Sequence, residues 1–322
     1  MTLPVFKDVV SAATRLQGVT RVTPLIRNDE LDRATSRRVF VKCEPLQVTG
    51  SFKLRGAYNR LSQLSDDEKK VGVVAFSSGN HAQGVARAAR LLGMPATIVM
   101  PADTPNVKID GVRRDGADII FYDRQSEDRE AIAEGFSART GAIVVPSYDD
   151  PHIIAGQGTC GLEIVRQMEE PAGSLICCVG GGGLIAGVSL AIHNDWPDTR
   201  IIGAEPEDFD DYARSLASGQ RETIAPGRKS ICDALLSPSP GELTFAINKQ
   251  HLHSISGISD EDTKAAMRFA FRHLKIVVEP GGAAALAALL SGKADLAPEG
   301  PVVVVMTGGN VDPHMMSAIL AG

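Results

Sequence analysis

Leu175-Ile176-Cys177-Cys178-Val179-Gly180-Gly181-Gly182-Gly183-Leu184-Ile185-Ala186-Gly187-Val188 is the stretch whose reading decides the fold. Consecutive apolar residues, four glycines and a second apolar run reaching His193 read as a buried strand, a turn and a helix. A strand apolar on successive residues is covered on both faces, as in a parallel sheet layered between helices. The same alternation extends outward in both directions. Strands are predicted at Val39–Cys43, Val71–Phe76, Ala96–Met100, Ile119–Phe121, Ile143–Val145, Leu175–Val179, Ile201–Glu205 and Val302–Met306. Helices are predicted at Gln83–Leu92, Glu127–Thr140, Gly158–Met168, Leu184–His193 and Asp260–Leu274. Such alternation gives an α/β fold with mainly parallel sheets. With 322 residues the chain is too long for one simple sheet, so two α/β domains with the site between them are expected. The polar, Gly/Pro-rich stretch from Ser218 to Gly241 reads as a long surface loop with a functional use.

Composition narrows the function classes. Hydrophobic residues at 43% and charged residues at 22% suit a folded core and argue against disorder. A net charge of −6 disfavours nucleic acid or an anionic membrane as partner, while leaving room for a local basic pocket. Met1 to Leu16 has no long apolar run and carries Lys7, Asp8 and Arg15, so neither an export signal nor a membrane span is expected. The five cysteines are odd in number and lack metal or redox spacing. Buried free thiols in a reducing cytoplasm are the expectation.

Four stretches carry candidate chemistry. In Thr49-Gly50-Ser51-Phe52-Lys53-Leu54-Arg55-Gly56-Ala57, Ser51 is placed to cap a helix running from Phe52 to about Leu64. Lys53 then sits in the first turn, where the helix dipole disfavours a cation and favours a nucleophilic amine. By itself that signal is weak, since most helix lysines are simply solvated. Phe76-Ser77-Ser78-Gly79-Asn80-His81 follows a strand and opens a helix, so its backbone N–H groups suit a carboxylate; ordinary capping by Ser and Asn is the plainer alternative. Gly180 to Gly183 leaves the backbone unobstructed for a phosphate, and a simple turn needs fewer glycines. Gly181, Gly183 and Ala186 also satisfy a dinucleotide fingerprint, with Glu205 placed as the ribose acid, which makes a NAD-dependent dehydrogenase a rival reading. In Thr307-Gly308-Gly309-Asn310, Thr307 ends a buried strand where α/β ligands gather; it either donates to a ring nitrogen or merely finishes the strand.

Taken together and in order, these stretches resemble the fold type II pyridoxal-phosphate (PLP) family, which is tryptophan synthase β-like. Within it they are most similar to the catabolic threonine/serine dehydratases (ammonia-lyases) and serine racemases. Ala155-Gly156-Gln157-Gly158-Thr159 and Glu279-Pro280 belong to the same set, and the likeness runs from Thr23-Pro24-Leu25 to Gly309-Asn310. The resemblance implies a large PLP-binding domain, residues 1–71 and 149–322, with a smaller α/β domain inserted at 72–148. It implies that Lys53 holds the cofactor as a Schiff base, with Phe52 packing by the ring and Asn80 bonding the ring hydroxyl. Gly180, Gly181, Gly182, Gly183 and Leu184 would bind the phosphate, and Thr307 would meet the pyridine nitrogen. Ser77, Ser78, Asn80 and His81 would grip the substrate carboxylate. Lys53 would then remove the α-proton, and the β-hydroxyl would leave as water with a proton from the cofactor phosphate.

The products implied are a 2-keto acid and ammonia. Ser78 stands where the racemases place the acid of the opposite ring face, so racemisation is permitted. Tyr148, in Pro146-Ser147-Tyr148-Asp149-Asp150-Pro151, resembles the dehydratase version and tilts the reading to dehydratase. Threonine or serine is the expected substrate, with serine racemisation or dehydration of 3-hydroxyaspartate as alternatives. A hydroxyaspartate enzyme would need an extra cation, for which Arg129 and His152 are candidates. Glu205, Asp211 and the Phe209 carbonyl resemble the family's Mg²⁺ or Ca²⁺ site; an ordinary acidic surface loop is the competing reading. Regulation through the C-terminal domain of the biosynthetic dehydratases is not expected. A homodimer is expected from the family.

Overall fold

The computed structural model describes residues 2–104 and 106–322. In chain order its strands are β1 (Leu25–Arg27), β2 (Val39–Cys43), β3 (Val73–Phe76), β4 (Ala96–Pro101) and β5 (Asp118–Tyr122). Then follow β6 (Ile143–Val144), β7 (Ser174–Cys178), β8 (Arg200–Pro206), β9 (Leu252–Ile258) and β10 (Val302–Met306). The helices begin with α1 (Phe6–Arg15), α2 (Asp29–Thr35), α3 (Lys53–Ser62), α4 (Asp66–Val71) and α5 (Asn80–Leu92). They continue with α6 (Asn106–Arg114), α7 (Arg129–Thr140), α8 (Pro151–Gln167), α9 (Gly183–Asp195) and α10 (Asp211–Ser218). The last are α11 (Glu242–His251), α12 (Asp260–Phe269), α13 (Pro280–Leu290) and α14 (Pro313–Ala321).

The strands form two sheets, ordered β1-β2-β10-β7-β8-β9 and β5-β4-β3-β6. Every pairing is parallel except β1 with β2. The parallel α/β architecture read from the sequence is therefore the one observed. Strand β10 shows why: Val302, Val304 and Met306 enter one apolar core, and Val303 and Val305 enter the other. Each face carries helices. The alanine-rich α13 packs on β7 to β10, and α9 covers β7 from the opposite side. The smaller sheet has its own core, to which α3 contributes Leu54, Ala57 and Leu61 beside Val73, Ala75 and Ile98. Helix α3 thus lies where the two sheets' supporting layers meet, packed on both α5 and α8.

Several boundaries differ from the sequence reading. Strands β1 and β9 lacked a signal because one spans three residues and the other is only partly buried. Helix α8 begins at Pro151, well before the expected Gly158, because Asp150 caps it and proline suits its first position. The expected helix to Leu274 is α-helical only to Phe269 and ends in a π-helical turn. Ser51 does not cap α3. Phe52 occupies the cap position without a side-chain bond, while Ser51 forms a backbone bridge with Gly308 and leaves its hydroxyl unpartnered.

Candidate active site

The start of α3 is held from below by an ion cluster buried under it. Arg55, two residues after Lys53, donates from Nε and Nη2 to Glu44 at 2.8 Å each and from Nη1 to Glu163 at 2.6 Å. Lys42 also meets Glu163 at 2.6 Å, and Arg55, Lys42 and Glu44 have no exposed side-chain surface. Close approach of α3 and α8 is possible because Gly156 has no side chain; a Cβ there would lie 2.5 Å from the Arg55 carbonyl. From the other side, Phe52 N–H donates to the Thr307 carbonyl at 3.1 Å. These contacts fix the chain around Lys53.

The Lys53 amine donates to the Ser147 carbonyl at 3.0 Å and lies 5.2 Å from the centre of the Phe52 ring. Burial pushes it down to about 8, against the opposing pull of Cys178 and Glu279. Burial is thus the first cause of a depressed amine that the sequence attributed to the helix dipole. At that value a minor fraction is uncharged near neutrality, far more than for an ordinary lysine, and general-base work draws on that form.

Two helix N-termini face the same cleft as Lys53. Helix α5 has Gly79 at its cap and no capping side chain, so Ser78 and Asn80 are not consumed as caps. Its first-turn N–H groups are therefore open to an anion. His81 bonds the Val145 carbonyl through Nε2 at 3.0 Å, which makes that nitrogen the donor and leaves Nδ1 unprotonated and unpartnered. Burial and the Lys53 charge push His81 down to about 3, so the ring is neutral. What His81 offers a carboxylate is its backbone N–H rather than an imidazolium.

The glycine loop leads into α9 and is gripped from behind. Thr244 Oγ1 donates to the Gly181 carbonyl at 2.6 Å and Asn248 Nδ2 to the Gly182 carbonyl at 3.2 Å. With its carbonyls taken by α11, the loop has its N–H groups free for a phosphate. Gly182 adopts φ +91° and Gly181 lies under the Tyr148 ring, where a Cβ would be 2.3 Å from a ring carbon. At Gly181, Gly182 and Gly183 a Cβ would come within 2.9 Å of a neighbour, so glycine is a steric requirement at those three positions.

These elements enclose a cavity of about 180 Å³, which Lys53, Ser77, Ser78, Asn80, Gly180 to Gly183, Leu184 and Thr307 all line. Thr307 is buried at the base, 3.4 Å from Cys178 Sγ. All four motifs are therefore brought together in one place. The cavity also takes two residues with no sequence signal, Lys108 and Cys178, and the Asp233–Ser237 part of the long loop for which the sequence suggested a function. Asp233 bridges to Lys108 across the mouth. Arg129 lines the cavity as well, whereas His152 does not. An amine, a backbone phosphate cradle and a buried hydroxyl around one cavity fit PLP.

Glu205 lies outside this cavity. Its carboxylate accepts from the N–H groups of Tyr212 and Ala213, capping α10. The dinucleotide reading thereby loses its ribose acid. Burial pushes Glu205 up to about 8 and Asp211 up to about 7, and one Asp211 oxygen is buried without a partner. Phe209 is buried beside them in the turn before α10. Among the described residues no group of three or more His, Cys, Asp or Glu gathers as a metal site, and no helix is long and apolar enough to cross a membrane. All five cysteines are free and buried.

Known proteins with this architecture agree with the cavity's chemistry. The chain is 43% identical to L-threo-3-hydroxyaspartate ammonia-lyase of Pseudomonas sp over 322 residues, covering all of both chains. It is 39% identical to L-threonine ammonia-lyase of Thermotoga maritima, over 98% of this chain and 77% of the relative. The structure of maize serine racemase superposes with a TM-score of 0.94 at 34% identity, over 99% of this chain and 98% of that one. The profile of the family described as pyridoxal-phosphate dependent enzymes matches residues 16–308. The chain belongs to the pyridoxal-phosphate dependent enzyme family.

Proposed function

We propose that this protein is a PLP-dependent ammonia-lyase acting on a β-hydroxy amino acid that carries a second carboxylate, of which 3-hydroxyaspartate is the simplest. Arg129 carries that reading. It is the first residue of α7, at the positive end of the helix where a cation is electrostatically misplaced. It has no carboxylate partner among the described residues, lies 5.5 Å from the centre of the Phe76 ring, and lines the cavity. A cation placed so suits a planar carboxylate through two parallel N–H bonds.

PLP, held at Lys53, supplies an electron sink for the α-carbon. The chain does the rest. The first turn of α5, with Ser77 and Ser78, holds the α-carboxylate, and Arg129 holds the carboxylate on the β-carbon. Lys53, whose uncharged form burial makes accessible near neutrality, takes the α-proton. The Ser147 carbonyl keeps the amine pointed into the cleft. Loss of the β-hydroxyl as water, then hydrolysis of the released enamine through its imine, leaves a 2-keto acid and ammonia. With PLP bound, Thr307 would offer the cofactor ring a neutral hydroxyl, which would not hold a ring charge as a carboxylate would and so would favour prompt elimination. Ser78 supplies the opposite-face proton when racemisation competes.

Threonine or serine is the second reading, since the site apart from Arg129 serves them equally and a relative bears the threonine ammonia-lyase name. The same proposal divides the chain at residues 72 and 148, because all four strands of the smaller sheet fall within that interval. It also takes the enzyme as a cytoplasmic homodimer, with Glu205, Asp211 and the Phe209 carbonyl holding Mg²⁺ or Ca²⁺. The unpartnered Asp211 oxygen and two upshifted carboxylates support the cation.

The test incubates the holoenzyme with threonine, serine and 3-hydroxyaspartate in each configuration, reading keto acid and enantiomer ratio. Keto acid forms fastest from 3-hydroxyaspartate. Faster turnover of threonine or serine selects the second reading, and racemised serine without keto acid sinks the lyase assignment. Borohydride must abolish the near-visible band and label Lys53, or the cofactor assignment fails.

A further inference from the structure

Asn310 closes the fourth motif, yet no step above uses it. Its amide joins three segments of the site. Nδ2 donates to the Thr49 carbonyl at 2.8 Å and to Asn80 Oδ1 at 2.7 Å. Gly309 N–H donates to the Gly50 carbonyl at 2.9 Å. Gly50 has φ +72°, and a Cβ there would lie 2.4 Å from Asn310 Oδ1, so the amide fills the space a side chain would need.

The polarity of this chain of bonds follows from a group whose role is known. A backbone carbonyl only accepts, so the Asn310 atom facing Thr49 must be the NH₂. Its second proton then points at Asn80, and the Asn80 atom receiving it must be oxygen. The Asn80 NH₂ is thereby turned the other way, to donate to Glu279 Oε1 and to face the cavity. The two ends of the Asn80 amide are nearly equal in size. Glu279 does not choose between them alone, because burial pushes its carboxyl up to about 7, where it can donate to an amide oxygen as well as accept from an amide nitrogen.

We infer that Asn310 is a positioning residue that fixes which end of the Asn80 amide faces the cofactor. It rests on the PLP reading, in which Asn80 meets the ring's phenolic oxygen. That oxygen is an acceptor when ionised, so the NH₂ end binds it and the carbonyl end repels it. Asn310 therefore controls both cofactor affinity and the tautomer of the bound ring without touching either.

Asn310→Asp keeps the shape and removes both donors. Its carboxylate attracts the Asn80 NH₂ and turns the Asn80 carbonyl to the cleft. Wild type, Asn310→Asp, Asn80→Ala and the double variant are compared by PLP Kd, by the ratio of near-visible to near-ultraviolet absorbance in the holoenzyme, and by apoprotein Tm. Asn310→Asp is expected to weaken PLP binding about tenfold or more and to shift absorbance toward the near-ultraviolet. On the Asn80→Ala background it should do neither. A wild-type-like ratio and Kd would overturn the inference, as would an effect undiminished without Asn80, or one confined to Tm. Should Asn310→Asp fail to fold, Asn310→Ala in the same cycle has the same expected direction and the same refuting results. A wild type lacking the near-visible band refutes the cofactor reading itself, and is distinguished before any variant is made.

Discussion

Replacing Arg129 by Gln removes the cation while keeping a polar side chain of similar reach. Its effect should depend on the substrate. Arg129 is exposed at the cleft mouth, which sets the lower bound. An exposed ion pair contributes about 0.2–1 kcal/mol, or up to about fivefold in rate. A two-pronged guanidinium–carboxylate pair withdrawn from water on binding is worth about 1.5–3 kcal/mol, or about 10- to 150-fold. The Phe76 ring beneath the guanidinium excludes water from one face, which places the loss nearer the boundary of these ranges, about tenfold. The expected outcome is thus a fall of about tenfold in kcat/KM for 3-hydroxyaspartate, with threonine and serine changed less than about twofold. Arg129→Lys should fall between, because it keeps the charge and loses the fork. Initial rates of keto-acid formation from each substrate measure this. An equal fall for all three would show a structural effect, and no fall for hydroxyaspartate would remove Arg129 from substrate binding.

Three other outcomes are expected. Lys53 has its folded value lowered to about 8 from 10.5, so charged Lys53 destabilises the apoprotein in full below pH 8, and that cost disappears as pH rises past 10.5. Lys53→Met should therefore gain up to about 3 kcal/mol over wild type below pH 8 and converge with it at high pH, measured by urea unfolding; a pH-independent difference would contradict this. Thr244→Val strips the Gly181 carbonyl and the Tyr212 hydroxyl of a partner, so PLP Kd should rise about tenfold; an unchanged Kd would show that the glycine loop holds its shape unaided. Mg²⁺ or Ca²⁺ should raise the Tm of chelator-treated wild type and leave Asp211→Asn unmoved, and equal shifts in both would exclude this site.

Much of the site was legible because each motif is short and carries its own chemistry. Four glycines between an apolar strand and a helix, or a serine-rich turn opening another, declare an anion site locally. Lys53 was only a plausible amine until those partners were found beside it. Ser51 misled because a serine before a helix usually caps it, while here a backbone bridge to Gly308 takes it away. Thr244, Asn248 and Cys178 had no signal at all. Each looks like an ordinary helix or strand residue, and its role comes from a partner 63 to 129 residues distant.

The sequence by itself determined the layered α/β class, the family and the lysine at its centre. Hydrophobic periodicity and motif chemistry are properties of neighbouring residues, so they survive without knowledge of the fold. Only the tertiary structure decided that Arg129 reaches the cavity and His152 does not, and that burial rather than a helix end lowers Lys53. It alone brought the Asn310 amide against Asn80. Those outcomes depend on the order of strands in two sheets and on the helix packing between them. Crossovers of that kind place distant residues within a few ångströms, and nothing in the local pattern records where they land.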